Sequence, residues 1–166
     1  MDIEALKKTL GLTPLPREGG FYAESYRSAE KLPNEHLPAR YPAERTLATA
    51  IYFLLTRDSF SALHRLASDE IYHFYLGDPV EMLQLAEPGA GRIVTLGTDI
   101  DRGMKPQVAV PRGVWQGARL TPGGKFALLG ATVFPGFEFA DFELAERKHL
   151  LATYPGFSAR IEELTR

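Results

Sequence analysis

The run SALHRLASDEIYHFYLG, residues 61–77, holds two of the chain's four histidines (His64 and His73), the acids Asp69 and Glu70, and the aromatics Tyr72, Phe74 and Tyr75. The Ser68-Asp69 turn signal divides it into two short apolar-rich segments, which read as strands. Core strands have no packing need for imidazoles and carboxylates, so the run reads as the wall of a pocket. Alternate side chains of a strand share a face. His64 therefore sides with Leu66, and Glu70 with Tyr72 and Phe74. If both faces look into one lumen, His64 and Glu70 converge there.

Outward from this run, the same strand signals repeat. Thr46–Thr56, Val80–Ala86, Arg92–Leu96, Gln107–Val110, Trp115–Leu120 and Phe126–Phe134 are short, rich in β-favouring residues and separated by Gly/Pro/Asp turns. Phe21–Tyr26 adds a strand after Gly19-Gly20, and residues 28–44 read as a proline-bearing loop. No ten-residue helical pattern falls between strands, which argues against a parallel βαβ sheet and for an all-β sandwich or barrel. Helices are expected only at the ends. Asp2 caps residues 2–10 and Gly11 stops them; Leu144–Leu151 is amphipathic; Ser158 caps a final short helix through Leu164.

The 166 residues fit one domain, residues 1–166, with 45% hydrophobic and 24% charged side chains. A formal charge of -2 gives no electrostatic case for nucleic acid or an anionic membrane surface. The absence of cysteine removes disulfides, thiolate metal sites and cysteine nucleophiles. The start MDIEALKKTLG lacks the apolar core of a signal peptide, no run is long enough for a membrane span, and a cytoplasmic location is expected.

His64, Leu66, Glu70 and Gly77 fall on the last four marks of G-x5-H-x-H-x3,4-E-x6-G, the first motif of the cupin superfamily. Leu66 replaces the second histidine, and no glycine opens the motif. Pro111, Gly113 and Gln116 match the second motif, P-x-G-x2-H, with glutamine in place of histidine. With LPREGGFYAESYRS, TAIYFLL, VPRGVWQGARL and TVFPGFEFADFEL, nearly the whole chain resembles cupin family five, a domain-of-unknown-function subfamily. The resemblance implies a double-stranded β-helix (jelly-roll) barrel, a homodimer and a pocket for a small molecule.

A full metal site of the cupin type takes three histidines and a glutamate. His64, Glu70 and Gln116 offer one imidazole, one carboxylate and one amide, a set expected to hold a divalent metal only weakly. A metal-free route is open, because some similar cupins are sugar-nucleotide epimerases in which a histidine takes the proton beside a ketone. His64 would be the base, Glu70 would orient it, and Tyr72 or Tyr75 would return a proton, unless those tyrosines are packing. His73 is a candidate ligand-binding residue only if a bulge turns it inward; by parity it faces away from Glu70, where it would bond a neighbouring strand or a partner subunit. Gln116 is expected in the lumen, Phe74 on the ligand-binding face, and Gln107 either there or bonded to backbone. Trp115 is expected to pack, and Arg65 to make a surface or dimer ion pair. The four phenylalanines Phe134, Phe137, Phe139 and Phe142 need cover from the chain's own sheet or from a second subunit. Three readings follow: an isomerase or epimerase acting on a sugar-like or polar metabolite, a non-catalytic metabolite-binding module, and a weakly metal-dependent enzyme.

Overall fold

Each strand divides its side chains between two faces, and the apolar set on the inner faces drives two sheets together. The structure, a computed structural model, describes residues 2–166. Helix α1 (Ile3–Leu10) opens the chain, with Asp2 accepting from the Glu4 amide and Gly11 closing it at φ 64. Strands β1 (Thr13–Pro14), β2 (Phe21–Arg27), β3 (Lys31–Leu32), β4 (Arg45–Thr46) and β5 (Thr49–Thr56) follow, then β6 (Ser61–Leu66) and β7 (Asp69–Gly77). The remainder comprises β8 (Val80–Leu85), β9 (Gly91–Leu96), β10 (Gln107–Val110), β11 (Trp115–Leu120), β12 (Phe126–Phe134), β13 (Phe142–Leu144), α2 (Arg147–Thr153) and α3 (Ser158–Glu163).

A six-stranded sheet in the order β1-β2-β5-β12-β7-β10 faces a five-stranded sheet in the order β13-β6-β11-β8-β9. From β5 onward the chain steps from one sheet to the other at each strand, the β8–β9 hairpin excepted, which is the path of a jelly roll. The expected all-β jelly roll with terminal helices is therefore present, as a sandwich of two sheets rather than one hydrogen-bonded cylinder. Residues 28–44 are largely loop, broken by the two-residue β3 and a single 3-10 turn.

The inter-sheet core holds Phe53, Leu55, Tyr72, Met82, Val108 and Leu129 among others. Helix α1 covers part of the outer face of the larger sheet through Leu6 and Leu10 against Leu54 and Leu128. Helices α2 and α3 cover the smaller sheet, where Leu150 and Ile161 meet Leu83, Leu85 and Trp115, so Trp115 packs as expected. Ser158 is the first residue of α3 rather than its cap, with its hydroxyl donating to the Pro155 carbonyl. Strand β13 was not legible in the sequence; its three residues are strand only because they pair with the edge of β6.

Candidate functional site

A bulge places His64. Between His64 and Ser61 β6 takes three steps, while β11 takes two between Gln116 and Ala118. The extra residue turns Ala62 out of the ladder: its amide donates to the Glu18 carbonyl at 3.0 Å, and its own carbonyl lies 2.8 Å from His64 Nδ1. A carbonyl only accepts, so Nδ1 carries a proton, and in the neutral ring Nε2 keeps its lone pair. The imidazole stacks on Phe142, with centroids 5.1 Å apart and planes 22° apart. The expected orienting role of Glu70 toward His64 thus falls to the Ala62 carbonyl.

Glu70 enters from the other sheet. It accepts from Gln116 Nε2 at 2.5 Å, with the Tyr72 phenol nearby on the same strand face. Burial pushes its carboxyl up from 4.5 to about 7; nearby Glu18 adds to the rise, while His64, Gln116 and Tyr72 oppose it. The Tyr72 phenol is driven well above its ordinary value, first by burial and then by Glu70, so near neutrality it holds its proton. Gln116 also belongs to a polar row across the smaller sheet, in which registers pair Gln116 with His64 and Gln84, and Gln84 with Arg92. Arg92 Nε donates to Gln84 Oε1 at 2.9 Å, and Gln116 Oε1 is buried without a partner among the described residues.

Glu18 completes the inner end. It sits on the turn between β1 and β2, where Arg17, Gly19 and Gly20 adopt φ of 69°, 105° and 71°. Side chains at Gly19 and Gly20 would collide with the carbonyls of Phe60 and Leu54, so the turn lies flat on β5 and on the segment entering β6. That seat aims Glu18 inward, where Oε1 accepts from Ser61 at 2.7 Å and Oε2 lies 3.9 Å from His64 Nε2.

His64, Glu70, Glu18 and Phe142 line a cavity of about 550 Å³, whose apolar walls include Leu15, Ile51, Val133 and Phe137. Its mouth carries Glu24, Arg27 and Glu138, with Arg27 bonded to Glu24 at 2.9 Å and to Glu138 at 2.8 Å. Residues 135–144 strap this rim. The Gly136 amide donates to the Thr46 carbonyl, the Phe137 amide to Thr49 Oγ1, and Arg45 grips Asp141 through two bonds of 2.8 and 2.6 Å. Phe137 and Phe142 are covered within the chain, whereas Phe134 and Phe139 are exposed.

Of the residues singled out in the sequence, His64 and Glu70 line the cavity. Gln116 is buried directly behind Glu70. Tyr72 lies within the inter-sheet core and Phe74 packs against it, neither on the cavity wall. His73, Gln107 and Tyr75 are on the outer face. His73 bonds Thr132 at 3.2 Å and Gln107 at 3.3 Å and stacks on the exposed ring of Tyr75. A bulge does occur in β7, but at Tyr75, past His73, so parity keeps His73 outside. Tyr75 therefore cannot return a proton in the lumen, and Gln107 satisfies its amide on the surface. Arg65 makes a surface ion pair with Glu143 at 2.8 Å and covers Trp115. Glu18, Glu24, Arg27 and Glu138 were missed; only the tandem Gly19-Gly20 hinted at a tight turn next to Glu18.

The donor set does not fit a firmly held divalent ion. Leu66 lines the cavity beside His64, Gln116 turns its NH2 toward Glu70, and among the described residues no group of three or more His, Asp or Glu side chains is arranged to hold a metal.

A two-sheet jelly roll with an imidazole and a carboxyl facing each other across its lumen defines the cupin class. Residues 4–145 match the family model described as Cupin superfamily (DUF985), and the chain belongs to that family. It is similar to protein SO0799 of Shewanella oneidensis (36% identity, TM-score 0.86, covering 100% of this chain and 98% of that one). A hypothetical protein from Leishmania major is similar as well (33%, TM-score 0.88, 99% of each chain). Protein YML079W of Saccharomyces cerevisiae is 30% identical over 81% of this chain and 73% of its own length. The fold alone extends to Bacillus subtilis oxalate decarboxylase, at 13% identity and TM-score 0.53 over 92% of this chain and 37% of that one. No helix among the described residues is long and apolar enough to cross a membrane.

Proposed function

We propose that the cavity binds a small polar, sugar-like carbonyl compound and moves a proton at the carbon beside its carbonyl, the chemistry of an isomerase or epimerase. The observation that carries this reading is the fixed tautomer of His64: with Nδ1–H held by the Ala62 carbonyl, the Nε2 lone pair is directed away from it, toward Glu18 on the cavity wall. Nε2 takes the proton from carbon, and the C–H electron pair forms the enediol double bond. The carbonyl oxygen takes the proton of neutral Glu70; His64 then returns its proton to the neighbouring enediol carbon while ionised Glu70 takes the proton of the other enediol hydroxyl, which gives the isomer. A carboxyl that titrates at about 7 is available in both forms near neutrality, which suits a group that donates and then recovers a proton. Gln116 acts as a positioning residue, holding Glu70 in place. The reading uses no metal, in keeping with the donor set.

The test is solvent exchange. Aldoses and ketoses incubated with the protein in deuterium oxide are followed by NMR for loss of the hydrogen beside the carbonyl. Exchange with the wild type, lowered by roughly 10²–10⁴-fold in His64→Ala, is the expected result. A sugar that binds and is recovered without deuterium would replace the enzyme by a binding module.

The outer face of the larger sheet bears on assembly. Beyond the part covered by α1, it presents Tyr26, Tyr52, Tyr75, His73, Thr132 and Gln107, with no formally charged side chain among them. We assign this face to a second copy of the chain, in line with the homodimer the family resemblance implies.

A further inference from the structure

Resting on that reading of the cavity, we infer that its ligand is a polyhydroxy amine, bound by its ammonium group at Glu18, and carries no phosphate. Four carboxyl groups (Glu18, Glu24, Glu70, Glu138) line the cavity against a single guanidinium, that of Arg27. Arg27 is already shared between Glu24 and Glu138, so it has no charge to offer an incoming anion. A phosphorylated sugar or a nucleotide sugar would bring its dianion among carboxylates, where like charges repel. A cation meets the opposite balance.

Glu18 is the group suited to receive it. Its residue is 8% exposed and Ser61 satisfies only Oε1. Oε2 meets no hydrogen-bond donor among the described residues; the nearest charged partner, His64 Nε2, stands 3.9 Å off, beyond hydrogen-bonding reach. A carboxylate oxygen that faces the cavity without a protein donor is open to a charge-assisted hydrogen bond from an ammonium N–H. The turn that carries Glu18 is built for the purpose. Arg17, a non-glycine residue, is held at φ 69, and the Arg166 guanidinium donates to the carbonyls of Arg17 and Glu18, clamping both. Phe137 supplies apolar cover for the carbon skeleton. An amine at Glu18 also stands next to His64 Nε2, so the proton that base removes lies on or beside the carbon that bears the nitrogen.

The experiment compares D-glucosamine, D-glucose and D-glucose 6-phosphate as probes, by calorimetry and thermal stabilisation of the full chain. Glucosamine is expected to bind roughly tenfold or more tighter than glucose, with glucose 6-phosphate weakest, the preference of a charge-assisted hydrogen bond. Glu18→Gln keeps the Ser61 contact and is expected to erase the preference for the amine over glucose. Glucose 6-phosphate binding as well as glucosamine, or a preference that survives in Glu18→Gln, overturns the inference. Glucose and glucosamine binding equally overturns it too, yet leaves the proton-transfer reading standing. Binding by none of the three counts against both.

Discussion

Gln116 donates its side-chain amide to Glu70 over 2.5 Å, joining the two sheets across the lumen through residues 46 positions apart in the chain. Both residues are buried, so the bond is shielded from water and favours the ionised carboxylate. Removing it in Gln116→Ala is expected to move the Glu70 titration upward from about 7. Carboxyl carbon shifts recorded against pH check this; a titration that stays put or falls would mean the amide does not hold the ionised form.

The same carboxyl makes stability depend on pH. Its folded value, raised from 4.5 to about 7, means that the folded chain binds this proton more tightly than the unfolded chain. Stability from this group is therefore fully present below pH 4.5, declines as pH rises, and is gone above 7, a loss on the order of 3 kcal/mol. Glu70→Gln has no proton to lose and is expected to flatten urea-derived stability across that window. An unchanged slope would place the titration elsewhere.

Arg45 and Asp141 form the ion pair that pins the strap over the cavity mouth, with side chains only 2% and 3% exposed. Arg45→Ala leaves a buried carboxylate without its partner and is expected to cost about 3–5 kcal/mol. Arg45→Met combined with Asp141→Leu removes both charges and should lose markedly less. Equal losses in the two variants, measured by chemical denaturation, would show that packing of the strap matters and the charge does not.

Metal content separates the third reading from the first. The native chain, purified without chelator, is expected to hold far less than one divalent ion per molecule, because Leu66 and Gln116 stand at two ligand positions. Leu66→His with Gln116→His puts imidazoles at those two positions and should raise zinc or nickel binding by orders of magnitude. Stoichiometric metal in the native protein by elemental analysis would return the weak-metal reading to favour.

Assembly can be tested at Tyr75, whose ring lies across Gly130 on the outer face and is half exposed. The wild type is expected to sediment as a dimer at micromolar concentration, and Tyr75→Lys as a folded monomer, since a desolvated unpaired ammonium opposes the contact. A monomeric wild type would leave that face without a partner.

Periodicity carried most of the fold. Gln107–Val110, Trp115–Leu120 and Phe126–Phe134 read from the sequence with the same bounds they have in three dimensions. Those runs are long enough for alternation to show, and turn residues mark their ends. Phe142–Leu144 is too short for any period, so it needed β6 beside it. Parity also placed His64 with Glu70 in the lumen and sent His73 outside, because a strand's two-residue repeat survives folding unless a bulge interrupts it. It failed for Tyr72 and Phe74 as pocket residues: facing inward is not the same as reaching the cavity, and the lower lumen is filled by Phe53, Met82 and Leu129.

The sequence by itself determined the class of fold, the inward imidazole and acid, and the amide in place of a third histidine, since each of these depends on spacing along one or two neighbouring strands. Tertiary structure alone decided that Glu18 stands beside His64, that Arg27 is neutralised at the mouth, and that the Ala62 carbonyl sets the tautomer of the base. These are contacts between remote segments, or consequences of one extra residue in β6. Their electrostatics arise only once water has been excluded from the space between the sheets.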